Sequence, residues 1–339
     1  MLSADTRKSK NMSERIWVTW ETQRRNRTLS KELRAKIYEF DYRINIMSRY
    51  ILSIIKTLKI FVSEKPKVIF VQNPSLVLAL LAVLYGKLVK VPIVVDAHNA
   101  GLSPVRGPTA IVNGIALQII KLASLTIVTN YALKNYVETQ GGKAFVLPDP
   151  TPSLIPTKKL LKLRGKYNVL FICTYANDEP YLEVINAARL IAEEIVIYIS
   201  GNPRGKEKEL IKNLPNNVIL TGYLSEEEFI DMLFSVDVVL DLTTRDDCLV
   251  CGAYEGIAVE KPIILSDTIA LREYFNKGAL FVDNTARDIS NKICFAIKQK
   301  QGLTKETAVL KEQLVRARGE TLNDLEKLLT DLTKSEKTK

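Results

Sequence analysis

The sequence predicts two doubly wound parallel α/β domains, and three observations carry that reading. Short β-rich runs alternate with helical stretches along the whole chain. Those runs are continuously apolar, as strands covered by helices on both faces are. The pattern also restarts after Pro148-Asp-Pro-Thr-Pro-Ser-Leu-Ile-Pro156, a stretch too rich in proline for a central strand or a helix interior. The length of 339 residues agrees, against a one-domain prior of about 150. Each half is Rossmann-like in its order of elements, and two such sheets are expected to face a central cleft, with ligands at the carboxyl ends of the strands.

Strands of the first half are read at Ile16–Trp20, Val68–Gln72, Ile93–Asp96, Leu125–Thr129 and Ala144–Leu147, with helices over 30–40, 46–62, 75–88, 109–122 and 130–139. The second half follows with strands at Asn168–Cys173, Ile195–Ser200, Val218–Thr221, Val236–Leu242, Pro262–Leu265 and Leu280–Val282. Its helices fall near 179–194, 206–213, 225–234, 252–259, 268–275 and 285–300. The expected organisation is a flexible basic tail over 1–14, a first domain over 15–150, a linker over 151–166, a second domain over 167–320, and a C-terminal helix with a fraying tail over 321–339.

Composition narrows the function. At 47% apolar and 25% charged residues, bulk disorder is excluded. Four cysteines cannot make a disulfide scaffold, and MLSADTRKSKNMSER lacks the apolar core of a signal peptide, which points to the reducing cytoplasm. One histidine, His98, removes chemistry built on a histidine cluster. Residues 1–166 carry 27 Lys and Arg against 10 Asp and Glu, while residues 167–339 carry 21 against 28, so the halves stand at +17 and −7. A basic half attracts polyanions, and an acidic half is repelled by a continuous phosphate backbone. One basic face on an anionic membrane surface therefore fits better than nucleic acid.

No stretch reaches the ~20 apolar residues of a membrane span. Ile46–Val62 approaches that length but carries Arg49, Lys56 and Lys59. On a helix Met47, Tyr50, Ile51, Ile54, Ile55, Leu58 and Phe61 form an apolar stripe, which suits either an interfacial helix or one packed on its own sheet with a solvated basic back.

Several chemistries are excluded by spacing. No two glycines stand two apart, so the dinucleotide fingerprint is absent. Gly201-Asn-Pro-Arg-Gly205-Lys206 is one residue short of a P-loop and lacks its Ser or Thr. No two aspartates stand two apart to clamp a metal. Cys248 and Cys251 form a single C-x-x-C with no second pair and no nearby histidine, so zinc is not expected.

The informative stretch is Val236–Asp267, VDVVLDLTTRDDCLVCGAYEGIAVEKPIILSD. A buried strand ends near Leu242, a polar loop follows, and Gly252 opens a helix whose unpaired N–H groups suit an anion. Asp247 before that helix and Glu255 inside it can each accept hydroxyl hydrogen bonds on either side of a phosphate held by the intervening amides.

This D-x7-E, followed by a small-residue helix and K-P-I-I-L-S-D, resembles the E-x7-E signature of group 1, or family 4, glycosyltransferases of the GT-B fold, with aspartate in the first acidic position. NVLFICTYANDEPYLEVINAARL (168–190) is similar to that family's first donor-domain strand and helix, NVILTGYL (217–224) to the strand before its base-binding loop, and VVDAHN (94–99) to its acceptor-domain D-x-H segment. FVQNPS (70–75) with AHNAG resembles lipid-linked oligosaccharide mannosyltransferases and bacterial polysaccharide transferases.

The resemblance implies a UDP- or GDP-sugar donor and a lipid-linked or saccharide acceptor, with metal-independent transfer on the inner face of the cell membrane. By position Glu255 would take the ribose, Asp247 a sugar hydroxyl, and the amides of Cys248, Leu249, Val250, Cys251 and Gly252 the sugar and diphosphate. Tyr223 would lie by the base and His98 on the acceptor side, with Asn99, Thr174 and Gly201 completing the substrate-binding set. Two features depart from the family. Cys173–Pro180 lacks the usual arginine and lysine, and Trp20–Arg27 replaces the first glycine-rich loop. A diphosphate leaving group needs positive charge. Arg245, Arg204 or the Arg24, Arg25 and Arg27 cluster is expected to supply it, the cluster being equally suited to an acceptor phosphate or a lipid headgroup. An inactive GT-B-like binder and a sugar-nucleotide epimerase are the alternatives.

Overall fold

The computed structural model describes residues 14–338, apart from 74, 103–109, 158–159, 204, 206–209 and 211. The chain divides into two compact units, the first formed by 1–148 with 320–339 and the second by 149–319.

In the first unit the strands are β1 (Arg15–Thr19), β2 (Lys36–Glu39), β3 (Val68–Asn73), β4 (Ile93–Ala97), β5 (Leu125–Val128) and β6 (Ala144–Val146). Among the described residues they form one sheet in the order β2-β1-β3-β4-β5-β6, with every pair parallel. The helices α1 (Arg24–Glu32), α2 (Ile46–Glu64), α3 (Leu76–Val89), α4 (Asn99–Leu102), α5 (Ala110–Leu122) and α6 (Tyr131–Thr139) connect them. The chain runs from β1 outward to β2 and back across to β3, so the strand order reverses between β1 and β3. Right-handed crossovers then place α1 on one face and the later helices on the other. The cores agree. Ile16, Val18, Ile69 and Val71 pack with Phe61, Leu78, Ile119 and Val137. On the reverse face Trp17 stacks on Phe70 at 5.4 Å, among Leu29, Leu33, Leu325 and Leu329.

Two expectations are corrected here. The helix expected over 30–40 is instead α1 followed by β2, because Ile37 and Tyr38 lie in register against Trp17 and Val18. The C-terminal helix starts earlier than the expected 321: one helix runs Lys300–Thr338, and its last part fills the face of the first sheet that α1 alone leaves open.

The second unit holds β7 (Tyr167–Phe171), β8 (Ile195–Ser200), β9 (Val218–Gly222), β10 (Val238–Asp241), β11 (Ile263–Ser266) and β12 (Ala279–Val282). Its sheet among the described residues is parallel in the order β12-β11-β10-β7-β8-β9, so the order reverses between β7 and β10. α7 (Tyr181–Ala188) and the Ala286–Lys298 helix cover one face, and the Glu226–Ser235, Cys251–Ala258 and Ile269–Tyr274 helices cover the other.

The residues expected as a linker are strapped to this unit. Thr157 donates from its backbone and its hydroxyl to the Asp231 carboxylate at 2.8 and 2.9 Å, and the Arg164 amide donates to the Tyr198 hydroxyl at 2.8 Å.

Because Leu325 is fully buried against the first sheet, Leu325→Ala is expected to cost about 3 kcal/mol. Chemical denaturation of the full chain reads this directly, and a cost under about 1 kcal/mol would show that the helix does not complete that core.

Candidate functional site

Ligands of open α/β sheets bind beyond the carboxyl ends of the strands where strand order reverses. In the second unit that point lies between β7 and β10, and the loops leaving them carry a closed set of polar contacts. At the end of β10 the buried Asp241 carboxyl accepts the Gly252 N–H through Oδ2 at 2.7 Å. A Cβ on residue 252 would lie 2.6 Å from that carboxyl and from the Ile172 side chain, so the close approach requires glycine. The helix opens at Cys251, one residue earlier than expected, with Val250 as its extended N-cap. The expectation that the Gly252 amide binds a phosphate is therefore corrected, since Asp241 already takes its hydrogen.

The loop after β7 is built around two further acids. Glu179 accepts the Thr174 and Ala176 amides at 2.8 and 2.9 Å and the Thr174 hydroxyl at 3.0 Å. Its carboxylate thus occupies the amide-lined turn of this loop. Asp178 joins the two loops: its carbonyl accepts the Thr244 amide at 2.7 Å, and its carboxylate accepts the Thr243 hydroxyl at 3.2 Å and pairs with the Arg245 guanidinium at 3.0 Å. Gly201, at φ +90°, sits beneath this loop; a Cβ there would collide with the Cys173 carbonyl oxygen at 2.0 Å.

Burial and then the neighbouring Glu179, Glu255 and Asp178 push the Asp241 carboxyl well above the usual carboxylate range, opposed by the Gly252 hydrogen bond. Burial likewise raises the Cys248 thiol to about 11 and Cys251 to about 12. Both thiols are therefore weaker acids than a free cysteine. Among the described residues no group of three His, Cys, Asp or Glu is placed to hold a metal ion.

The other expected residues fall as follows. Asp247 is exposed on the loop after β10, and Glu255 is half-buried one turn into the Cys251–Ala258 helix. Leu249 and Val250 turn their side chains into the core beneath. Tyr223 stands exposed just past β9. Arg204 lies outside the described residues.

In the first unit Arg25 is not available to a phosphate. Its guanidinium is buried and bonded to the Asp96 carboxylate at 2.8 and 3.0 Å and to the Leu147 carbonyl at 3.0 Å. A buried ion pair with one partner removed is strongly destabilised, which makes this arginine part of the framework. Arg27 pairs with Glu39 at 2.9 Å, and Arg24 is exposed at the start of α1. His98 follows β4 with its Nε2 3.9 Å from Asp96 Oδ2, and Asn99 opens α4. Beside them Gln72 accepts from the Thr19 hydroxyl and the Asn26 amide at 2.5 and 2.8 Å. Sequence reasoning missed Asp178, Glu179, Asp241 and Gln72. Only Asp241 left a signal, as an acid ending an otherwise apolar strand.

The Asp241 carboxyl keeps its proton in the folded chain at pH values where the unfolded chain has lost it. Stability from this group is therefore full below about pH 4 and is lost as pH rises. Asp241→Asn keeps an acceptor for Gly252 and carries no charge, so its denaturation midpoint is expected to fall less than the parent's between about pH 5 and pH 8. Equal falls would show that Asp241 is ionised when folded.

Residues 157–313 match the family model described as "Glycosyl transferases group 1". No curated protein matches the chain in sequence. In structure the chain is similar to Anabaena HepE in complex with UDP and glucose, with a TM-score of 0.71 and 15% identity over 92% of this chain and 91% of that one. It is similar to sucrose-phosphate synthase from Thermosynechococcus elongatus, with a TM-score of 0.70 and 13% identity over 88% and 81% of the two chains. UDP-GlcNAc 2-epimerase from Methanocaldococcus jannaschii shares the fold with a TM-score of 0.54 and 14% identity over 89% and 99%. Residues 157–313 of the second unit thus carry a group 1 glycosyltransferase domain, and the chain as a whole has the two-domain GT-B fold.

Proposed function

We propose that the enzyme takes a UDP-sugar in its second unit and transfers the sugar, without a metal, to a saccharide carried on a lipid, in polysaccharide assembly at the cytoplasmic membrane face. The observation that carries the donor half is positional. The group 1 match covers the residues that hold both loops at the reversal of the second sheet, Ile172–Pro180 and Leu242–Val250. HepE is known in complex with UDP and with UDP-glucose, which supports uridine over guanosine.

Glu255 accepts the ribose hydroxyls and Asp247 a hydroxyl of the sugar. Each is a charge-assisted hydrogen bond that orients the donor. As the bond from the sugar to the diphosphate breaks, negative charge gathers on the leaving phosphate oxygens. Arg245 answers it. Its pair with Asp178 is 46% and 24% exposed on the two sides and is worth about 0–1 kcal/mol after solvent screening, so a diphosphate displaces Asp178 at little cost. His98, beside the buried Asp96, faces the acceptor and receives its proton if the reaction inverts the anomeric centre.

The fold is shared with an epimerase, so a second reading is interconversion of sugar nucleotides. Incubation with radiolabelled UDP- and GDP-sugars and membrane lipid extract separates the readings: label in lipid supports the transferase, a new sugar nucleotide the epimerase, and neither an inactive binder. Glu255→Ala and Asp247→Ala are each expected to lower kcat/KM about 10- to 100-fold with the unfolding midpoint kept. Arg245→Ala is expected to lower kcat about 100-fold. Full transfer by all three variants would remove the site assignment.

A further inference from the structure

α2 is turned with its apolar ridge to the solvent. The side chains it buries are Ser53, Thr57 and Phe61. Thr57 accepts the Trp20 indole N–H at 3.1 Å, Tyr50 packs edge-on to Trp20 at 5.7 Å, and Phe61 meets Tyr85 of α3 at 4.9 Å. These contacts fix the helix about its own axis. Met47, Ile51, Ile55, Leu58 and Val62, spaced by four, four, three and four, are left facing outward at 73, 54, 57, 36 and 62% exposure. At ~1.5 Å per residue the ridge is about 22 Å long. Val77, Leu84 and Leu88 of the neighbouring α3 add a second exposed row. Isolated exposed apolar residues are ordinary, but continuous ridges on adjacent helices mark an interaction surface.

The charge around the ridge identifies the partner. Arg49, Lys56 and Lys59 lie along one flank of α2, and Lys87 and Lys90 end α3. Between Asp41 and Glu64 the chain has no acidic residue, and between Glu64 and Asp96 none again. A second copy docked through the same patch would set cations against cations in a two-fold contact, which disfavours self-association. An apolar strip bordered by cations on one side is the pattern of a helix lying in a lipid interface. No helix among the described residues is long and apolar enough to cross a membrane.

We infer that α2 and α3 form the surface by which the first unit sits on an anionic bilayer, with the Met47–Val62 ridge among the acyl chains and Arg49, Lys56 and Lys59 at the lipid phosphates. This deepens the membrane part of the proposed function and rests on that reading only for its place in the cell. Sugar transfer plays no part in the measurement below, so either proposal can fail while the other stands.

The test is flotation of the full chain with phosphatidylglycerol–phosphatidylcholine vesicles and with phosphatidylcholine alone. The parent is expected to float with the anionic vesicles and less with the neutral ones. Ile51→Ser with Ile55→Ser is expected to lower partitioning about tenfold at any salt concentration. Lys56→Glu with Lys59→Glu is expected to lower it about tenfold at low salt and much less near 1 M, where the Debye length is about 3 Å. Circular dichroism and UDP binding should match the parent in both variants. Parent-like flotation of both would overturn the assignment, as would a failure of the parent to float. A concentration-dependent dimer in sedimentation, dispersed by the serine variant without lipid, would assign the ridge to self-association instead.

Discussion

A single hydrogen bond from the Gly252 amide to the sealed Asp241 carboxyl sets how the loops of the second unit are arranged. It draws the start of the Cys251–Ala258 helix onto the end of β10 so closely that only glycine fits at 252. The Leu242–Val250 loop must then leave the sheet and return within a fixed span, which carries Asp247 outward while Leu249 and Val250 enter the core. Asp178 ties this loop to the one after β7 through Thr243, Thr244 and Arg245, and Glu179 closes the latter on its own amides. The Thr174, Ala176 and Thr244 amides are met by Glu179 and Asp178 from within these loops. Preorganisation of this kind means that a ligand meets loops already held in place, at the cost of exchanging some internal partners.

The first unit applies the same economy to a buried ion pair. Arg25 and Asp96 are out of water at the end of β4, and the pair is tolerable because the guanidinium is also bonded to the Leu147 carbonyl. Asp96 therefore presents a fixed negative edge to His98. The sheet's own reversal, between β1 and β3, is lined by the Thr19, Asn26 and Gln72 network. Both units thus keep their polar groups at the carboxyl ends of the strands, where the helices do not cover them.

The architecture was largely legible because parallel strands buried on both faces leave unbroken apolar runs, and most observed strands fall on such runs. β2 was not: Lys36-Ile-Tyr-Glu39 is an edge strand, alternating and charged, and the charged residues around it read as helix. The orientation of α2 was equally hidden. Its apolar stripe is wider than the face it buries, and contacts with distant residues, the Trp20 bond to Thr57 and the packing of Phe61 on Tyr85, decide which side turns inward. For the proposed site, Asp247 and Glu255 stand out in the sequence because their spacing around Gly252 carries a pattern. Asp178 and Glu179 act through loop geometry that has no periodicity, and Arg25 reads as a spare cation until its distant partner Asp96 is in view.

The helix that ends the chain covers Trp17, Leu29 and Leu33, residues from the opposite extreme of the sequence. During synthesis the ribosome must deliver nearly the whole polypeptide before that layer has a lid, so the opening half waits with an aromatic and leucine floor in contact with water. Vectorial folding would therefore close the amino-terminal sheet only after the later unit has been made.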